Sequence, residues 1–291
     1  MKYRVIHTTR YEYPDLVHLC HNQLCLGPKM LAWQQVLNHS IKIVPEPDYK
    51  TTRIDFFGNN IIHFSVQKPH QEMEVTMEGT MELNIPPFQP LDTDKSPSWN
   101  LTYDFLKSRS ATPEVRQYVL ETELTNSIPA IRQYAEKSFT PNRPLLEAAQ
   151  ELNERINHDF EFTPGFTDVS TPVDQVFIHK KGVCQDFAHF FLSCLRSLGL
   201  AARYVSGYLE TIPPPGQPKL AGADASHAWV SVFDPEFGWV DFDSTNNLVI
   251  NTQHITIAWG RDFNDIIPMK GIIYSSGEQK MIVSVDVARI D

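Results

Sequence analysis

Three side chains could together form a cysteine nucleophile with its base and the acid that orients that base. Cys184 lies in Gly182-Val183-Cys184-Gln185-Asp186-Phe187-Ala188-His189, His227 in Ser226-His227-Ala228-Trp229-Val230-Ser231-Val232-Phe233, and Asp243 ends Trp239-Val240-Asp241-Phe242-Asp243. A thiol becomes a nucleophile when a neighbouring group takes its proton, and an imidazole held by a carboxylate does this well. A cysteine at the start of a helix also sits among unpaired backbone N–H groups, which favour the thiolate. That position alone is weak evidence, because free cysteine is among the most buried residue types. The histidine and the acid must reach it.

The elements that would bring them there can be read from periodicity. Apolar residues at 187, 190, 191, 194, 195 and 198 repeat at helical spacing, so the segment after Cys184 reads as an amphipathic helix with one face in a core. Gly199 stands where a helix-ending glycine belongs, and Arg196 complements the last turn. Residues 226–233 and 239–243, joined by Asp234-Pro235-Glu236-Phe237-Gly238, read as a hairpin with His227, Trp229, Ser231 and Phe233 on one face. Pairing Phe233 with Trp239 places Asp243 opposite Trp229 and diagonal to His227; pairing Phe233 with Phe237 keeps Asp243 on the same face. Asp243 is therefore preferred to Asp241 as the orienting acid.

The expected chemistry is a thiolate–imidazolium pair of Cys184 and His227, with Asp243 fixing the tautomer, attacking an amide or ester carbonyl to give a thioester. The Cys184 N–H is one oxyanion donor; the second is not legible. Trp229, Tyr208 and Asp186 are expected to bind substrate or shape the helix start, although core packing suits both aromatics equally. A metal set of Cys184, His189 and His227 lacks paired ligand spacing, as do His7, His18, His21, His39, His63 and His70, and neither metal nor cofactor is expected. His189 reads as structural.

The chain has 291 residues, enough for two or three domains. Its 25 basic and 35 acidic residues give a net charge of -10, which argues against nucleic acid or an anionic membrane surface as partner. No leader or membrane-spanning run is visible, so a cytoplasmic location is expected. Four cysteines without a C-x-x-C pair read as free thiols. Short alternating runs punctuated by turns over residues 1–90 predict an antiparallel β-sandwich. A proline-rich linker and helical segments follow over 91–143, with helices expected near Thr112-Pro113-Glu114 and from Ile128 to Phe139. A catalytic core is expected over 144–250, opening with a helix whose Leu145, Ala149, Leu152 and Ile156 share a face, and residues 251–291 add strands that complete a sheet. The proline-rich stretch 213–222 is expected to cover the cleft mouth.

Taken together, Gly182-Val183-Cys184-Gln185-Asp186-Phe187-Ala188-His189, Leu198-Gly199-Leu200-Ala201-Ala202-Arg203-Tyr204, His227-Ala228-Trp229 and Gly238-Trp239-Val240-Asp241-Phe242-Asp243-Ser244-Thr245 closely resemble the bacterial transglutaminase-like cysteine peptidase family. His7-Thr8-Thr9-Arg10-Tyr11-Glu12-Tyr13 and Asp55-Phe56-Phe57-Gly58-Asn59 resemble the β domain that precedes the core in this branch. Ser244 departs from the proline often found after the acid. The resemblance implies an α+β fold with a papain-like, transglutaminase-like core and the roles of Cys184, His227 and Asp243. It implies a peptide or protein substrate and leaves three outcomes open: hydrolysis, transamidation of glutamine, or a silent binding scaffold.

Overall fold

The computed structural model describes residues 1–210, 226–274 and 278–291. The stretch 213–222, expected over the cleft, lies outside them. Six strands open the chain: β1 (Lys2–Val17), β2 (Leu19–Leu24), β3 (Gln34–Val44), β4 (Tyr49–Ile54), β5 (Asn60–Val66) and β6 (His70–Leu83). In β1 every second residue from Tyr3 to Tyr13 is buried, the period of a strand with one face in a core. β1 pairs with β6, and β6 with β3, in one sheet; β2, β5 and β4 make a second. Cys20 and Asn22 of β2 touch Met73 of β6 across the gap between the sheets.

Helices α1 (Trp99–Lys107), α2 (Pro113–Arg116), α3 (Pro129–Glu136) and α4 (Leu145–Asp159) follow, the last burying Leu145, Ala149, Leu152 and Ile156 as the pattern predicts. Next come β7 (Glu161–Phe162), α5 (Val173–His179), β8 (Lys181–Gly182), which pairs with β7, and α6 (Cys184–Ser197). Five strands then form one sheet: β9 (Ala202–Leu209), β10 (Ser226–Asp234), β11 (Gly238–Asp243), β12 (Leu248–Val249) and β13 (His254–Gly260), in the order β12-β11-β10-β9-β13. The fold is α+β, and α6 lies on β9 and β10.

α6 differs from the one-faced helix expected. Every residue from Asp186 to Arg196 is buried, because α3, α4 and α5 cover the side turned away from the sheet. Two of its polar residues find partners in the surrounding core, whereas the buried Ser193 hydroxyl has none. The Arg196 guanidinium donates to the carbonyls of Tyr118, Ala202 and Arg261 and to the Thr125 hydroxyl, and His189 accepts from the Phe263 N–H while stacking on Tyr204. Gly199, at φ +78°, ends the helix: its N–H reaches the Arg196 carbonyl and that of Leu200 reaches Leu195.

The domain layout also departs from the sequence-based division. β13 extends the core sheet beyond residue 250 by pairing with β9, whereas β14 (Met269–Tyr274) and β15 (Lys280–Arg289) return to the N-terminal sandwich and pair with β2 and β1. The sandwich is thus built from both ends of the chain. Alternation marks β15 as a strand but cannot say which open edge it fills. Among the described residues no helix is long and apolar enough to cross a membrane.

Candidate active site

Cys184 is the first residue of α6, so its N–H has no acceptor within the helix. The turn before it is held by Asp186, whose Oδ2 accepts from the Val183 N–H at 2.7 Å and from the Thr167 hydroxyl at 2.6 Å. Burial pushes the Asp186 carboxyl up. The approach to this turn is pinned by Lys180, in left-handed conformation at the end of α5, with its ammonium 3.7 Å from the Phe177 ring and 4.2 Å from that of Phe160. Cys184 is half-buried, whereas Cys20, Cys25 and Cys194 are buried and free, and burial pushes all three thiols up, Cys25 to about 12.

The hairpin has the register in which Phe233 faces Trp239. It sets His227 diagonal to Asp243, and the imidazole Nε2 lies 2.7 Å from Asp243 Oδ2. The side chains are 10% and 0% exposed, so water competes little with this bond. His227 and Cys184 line one cleft, and the thiol, like Asp243, favours the charged form of the ring. Since Nε2 serves Asp243, Nδ1 is left for the thiol. Burial alone would lower the His227 pKa, but Asp243 and Cys184 outweigh it and hold the imidazole up to about 10.

Asp243 is unusually well supplied with donors. Oδ2 accepts from His227, from Asn246 Nδ2 at 2.7 Å and from His254 Nε2 at 3.1 Å, while Oδ1 accepts the backbone N–H groups of Thr245 and Asn246. Against the cost of burial, these bonds and the two imidazoles hold its carboxyl far below the usual carboxylate range. Asp241 does different work: its Oδ2 accepts from Trp229 Nε1 at 2.9 Å, and burial pushes its carboxyl up.

His254 and Asn246 were not legible as site residues. Asn246 follows Asp243 by three positions, a spacing any turn can have. His254 stands on β13, which joins the sheet through β9 rather than through either hairpin strand, so no local spacing links it to Asp243. His227 Nε2, Asp243 Oδ2 and His254 Nε2 lie within 4.8 Å of one another, a set that could hold a metal ion. Their chemistry fits the hydrogen-bonded arrangement better: both imidazoles point Nε2 at a shared carboxylate oxygen, and His254 Nδ1 is buried without the acceptor that normally fixes a metal-bound imidazole. His189 belongs to neither arrangement.

A cleft of about 730 Å³ opens beside Cys184, His227 and His254, with Phe162, Leu209 and Leu248 as apolar walls and Glu210 and Gln253 as polar ones. Trp229, Tyr208 and Asp186, expected to bind substrate, are not among its walls. Trp229 is buried with its indole N–H given to Asp241, and Asp186 is buried in the turn before the helix. Tyr208 is buried with its hydroxyl 2.7 Å from Nδ1 of His7, a histidine that burial lowers to about 4 and that β1 presents to the core sheet. All three are buried and none lines the cleft, a placement that residue type alone does not reveal.

Comparison with known proteins bears on both halves of the chain. The family described as the bacterial transglutaminase-like N-terminal region matches residues 3–82, and the transglutaminase-like superfamily matches residues 132–244. An uncharacterized protein of Mycobacterium tuberculosis is 38% identical over 98% of this chain and 92% of its own length. A protein-glutamine gamma-glutamyltransferase of Pseudomonas aeruginosa is 29% identical over 48% of this chain and 21% of its own. Among solved structures, a candidate cysteine protease from Cytophaga hutchinsonii matches the fold over 100% of this chain and 91% of its own, with a TM-score of 0.78 at 17% identity.

Proposed function

The chain belongs to the transglutaminase-like superfamily, and from that premise we propose that it is a cysteine hydrolase of peptide or amide bonds, with Cys184 as nucleophile, His227 as base and acid, and Asp243 as orienting acid. The observation that carries this reading is that Cys184, the first residue of α6, lines one cleft with His227, whose imidazole is hydrogen-bonded to buried Asp243. His227 takes the thiol proton at Nδ1 while its Nε2–H stays on Asp243. Cys184 Sγ then forms a bond to the carbonyl carbon, and the resulting oxyanion is met by the Cys184 N–H. His227 passes its proton to the leaving amine, the C–N bond breaks, and a thioester remains. Water, deprotonated by His227, attacks the thioester, releasing the acid and returning the thiol.

A second reading replaces that water with a primary amine, giving transamidation. It is supported by the Pseudomonas aeruginosa relative named a protein-glutamine gamma-glutamyltransferase. A screen of peptides with and without an amine acceptor, followed by intact-protein mass spectrometry, separates the readings: an acyl adduct on Cys184 that decays to acid supports hydrolysis, and one that decays to an amide supports transfer. Cys184→Ala is expected to abolish the adduct with the fold intact. Turnover persisting in that variant, or no adduct with any substrate in the wild type, would count against the nucleophile.

A further inference from the structure

Asp243 Oδ2 is shared by two imidazoles, and the strand that carries the second one is fastened by the other domain. His254 is fully buried on β13, its ring 5.3 Å from that of Trp229, and its Nε2 lies 3.1 Å from Asp243 Oδ2. A carboxylate can only accept, so Nε2 carries the proton and Nδ1 is bare. That assignment agrees with Nδ1 having no partner, since a buried ring with an unpaired second N–H would be costly.

β13 is the edge of the core sheet, and an edge leaves backbone N–H and C=O groups unpaired. Here two side-chain amides of the N-terminal sandwich take the place of a neighbouring strand. Gln34 accepts from the Thr256 N–H at 2.8 Å and donates to the Thr256 carbonyl at 2.7 Å. Asn59 does the same at Trp259, at 3.1 Å and 2.8 Å. Both amides are fully buried. Phe57 adds its carbonyl to the Trp259 indole N–H, and the Lys29 N–H reaches the Thr256 carbonyl. A side-chain amide has the donor and acceptor of a peptide group, so each clamp fixes the height and tilt of β13, and Thr256 is two residues from His254.

We propose that His254 is a positioning residue for the triad and that the N-terminal sandwich sets its place through the Gln34 and Asn59 amides on β13. The sandwich thereby completes the active site without touching substrate. His254 holds Asp243 Oδ2 toward His227, and the anion so placed keeps the proton on His227. This rests on the reading of Cys184 as nucleophile. Among the described residues, the titratable groups facing His227 are Cys184 from α6, Asp243 from β11 and His254 from β13, with the neutral Asn246 beside them.

The test uses the full chain and iodoacetamide, with the labelling rate of Cys184 followed by mass spectrometry from pH 5 to 10 on proteins first checked as folded. His254→Phe keeps the ring and removes the donor. Losing a charge-assisted hydrogen bond corresponds to about a 10- to 100-fold slower labelling at pH 7, with the rise in rate moved up by about one to two pH units. His254→Gln, which restores an N–H at that place, is expected to recover most of the rate. Gln34→Met is expected to act in the same direction, and the double variant Gln34→Met/His254→Phe to be no slower than His254→Phe alone, because both remove one linkage. Unchanged or faster labelling in His254→Phe, equal loss in His254→Gln, or additive losses in the double variant would overturn the proposal. The imidazole nitrogen NMR spectrum is an independent readout: His254 is expected in the Nε2–H form, with its signal displaced by Gln34→Met. A wild type whose Cys184 labels no faster than the other thiols would defeat the nucleophile assignment, whereas an undisplaced His254 signal would defeat this inference whatever Cys184 does.

Discussion

Replacing Asp243 by asparagine exposes the arrangement to its most direct test. The carboxylate accepts five hydrogen bonds, three on Oδ2 from His227, His254 and Asn246 and two on Oδ1 from backbone N–H groups. An asparagine keeps one acceptor oxygen, which the two backbone groups claim, so its NH2 faces three donors. Relief requires the imidazoles to present bare Nε2 atoms, which moves the His227 proton to Nδ1, the nitrogen left for the thiol. A ring in that tautomer cannot take the thiol proton. The lost charge acts the same way. His227 is held up to about 10 against an ordinary 6.5, a displacement of roughly 5 kcal/mol at the standard conversion. Asp243 and Cys184 share it, and an equal split makes the loss of Asp243 about 2–3 kcal/mol, or roughly 50-fold in the ratio of ion pair to neutral pair.

Iodoacetamide labelling of Cys184 at pH 7 should therefore fall at least that far in Asp243→Asn, with the tautomer change adding to the loss. Stability supplies a second readout. A raised His227 contributes stability that is fully present below its unfolded value near 6.5 and lost as pH rises to about 10. The depressed Asp243 contributes stability that is present above the ordinary carboxylate range and lost as pH falls below it. Between pH 7 and 10 the wild type should lose stability from this pair and the variant should not. A folded Asp243→Asn protein that labels at the wild-type rate, with the same pH dependence, would refute the reasoning.

Two further substitutions probe the frame. Gly207 lies between His227 and Thr256 in the sheet, and a Cβ there would sit 2.1 Å from the Ile255 carbonyl and 2.4 Å from the Trp229 ring. Gly207→Ala should destabilise by about 1–3 kcal/mol or more, measured by urea unfolding, because β13 and Trp229 must both give way. Tyr208→Phe removes the hydroxyl bonded to buried His7 and should cost about 1–3 kcal/mol of stability. It should leave Cys184 labelling within about twofold, since Tyr208 is buried and does not line the cleft; a loss of labelling as large as that in Asp243→Asn would return Tyr208 to the site.

The parts of the site that were legible are those set by local period. Helical spacing after Cys184 placed the thiol at a helix start, and strand alternation with a short turn put His227 and Asp243 on one face, because backbone geometry fixes which side chains share a face over a few residues. Trp229, Tyr208 and Asp186 were open to two placements each, in the cleft or in the structure around it. An aromatic or an acid beside a catalytic block can face the cleft or the packing around it: Asp186 holds the turn three residues before it and Trp229 bonds Asp241 across its own hairpin, whereas Tyr208 bonds His7 of the N-terminal sandwich.

By itself, the sequence determined the class of fold, the family and the candidate nucleophile with its hairpin partners, all consequences of short-range pattern and of blocks that stay contiguous. Only the tertiary structure decided that β14 and β15 return to the first sheets, that α6 is enclosed on all sides, and that His254 and Asn246 converge on Asp243. Strand alternation is the same whichever edge a strand fills, and a hydrogen bond between residues on non-adjacent strands has no period in the chain. Those contacts are selected by which open edges and unpaired polar groups remain once the local elements have packed.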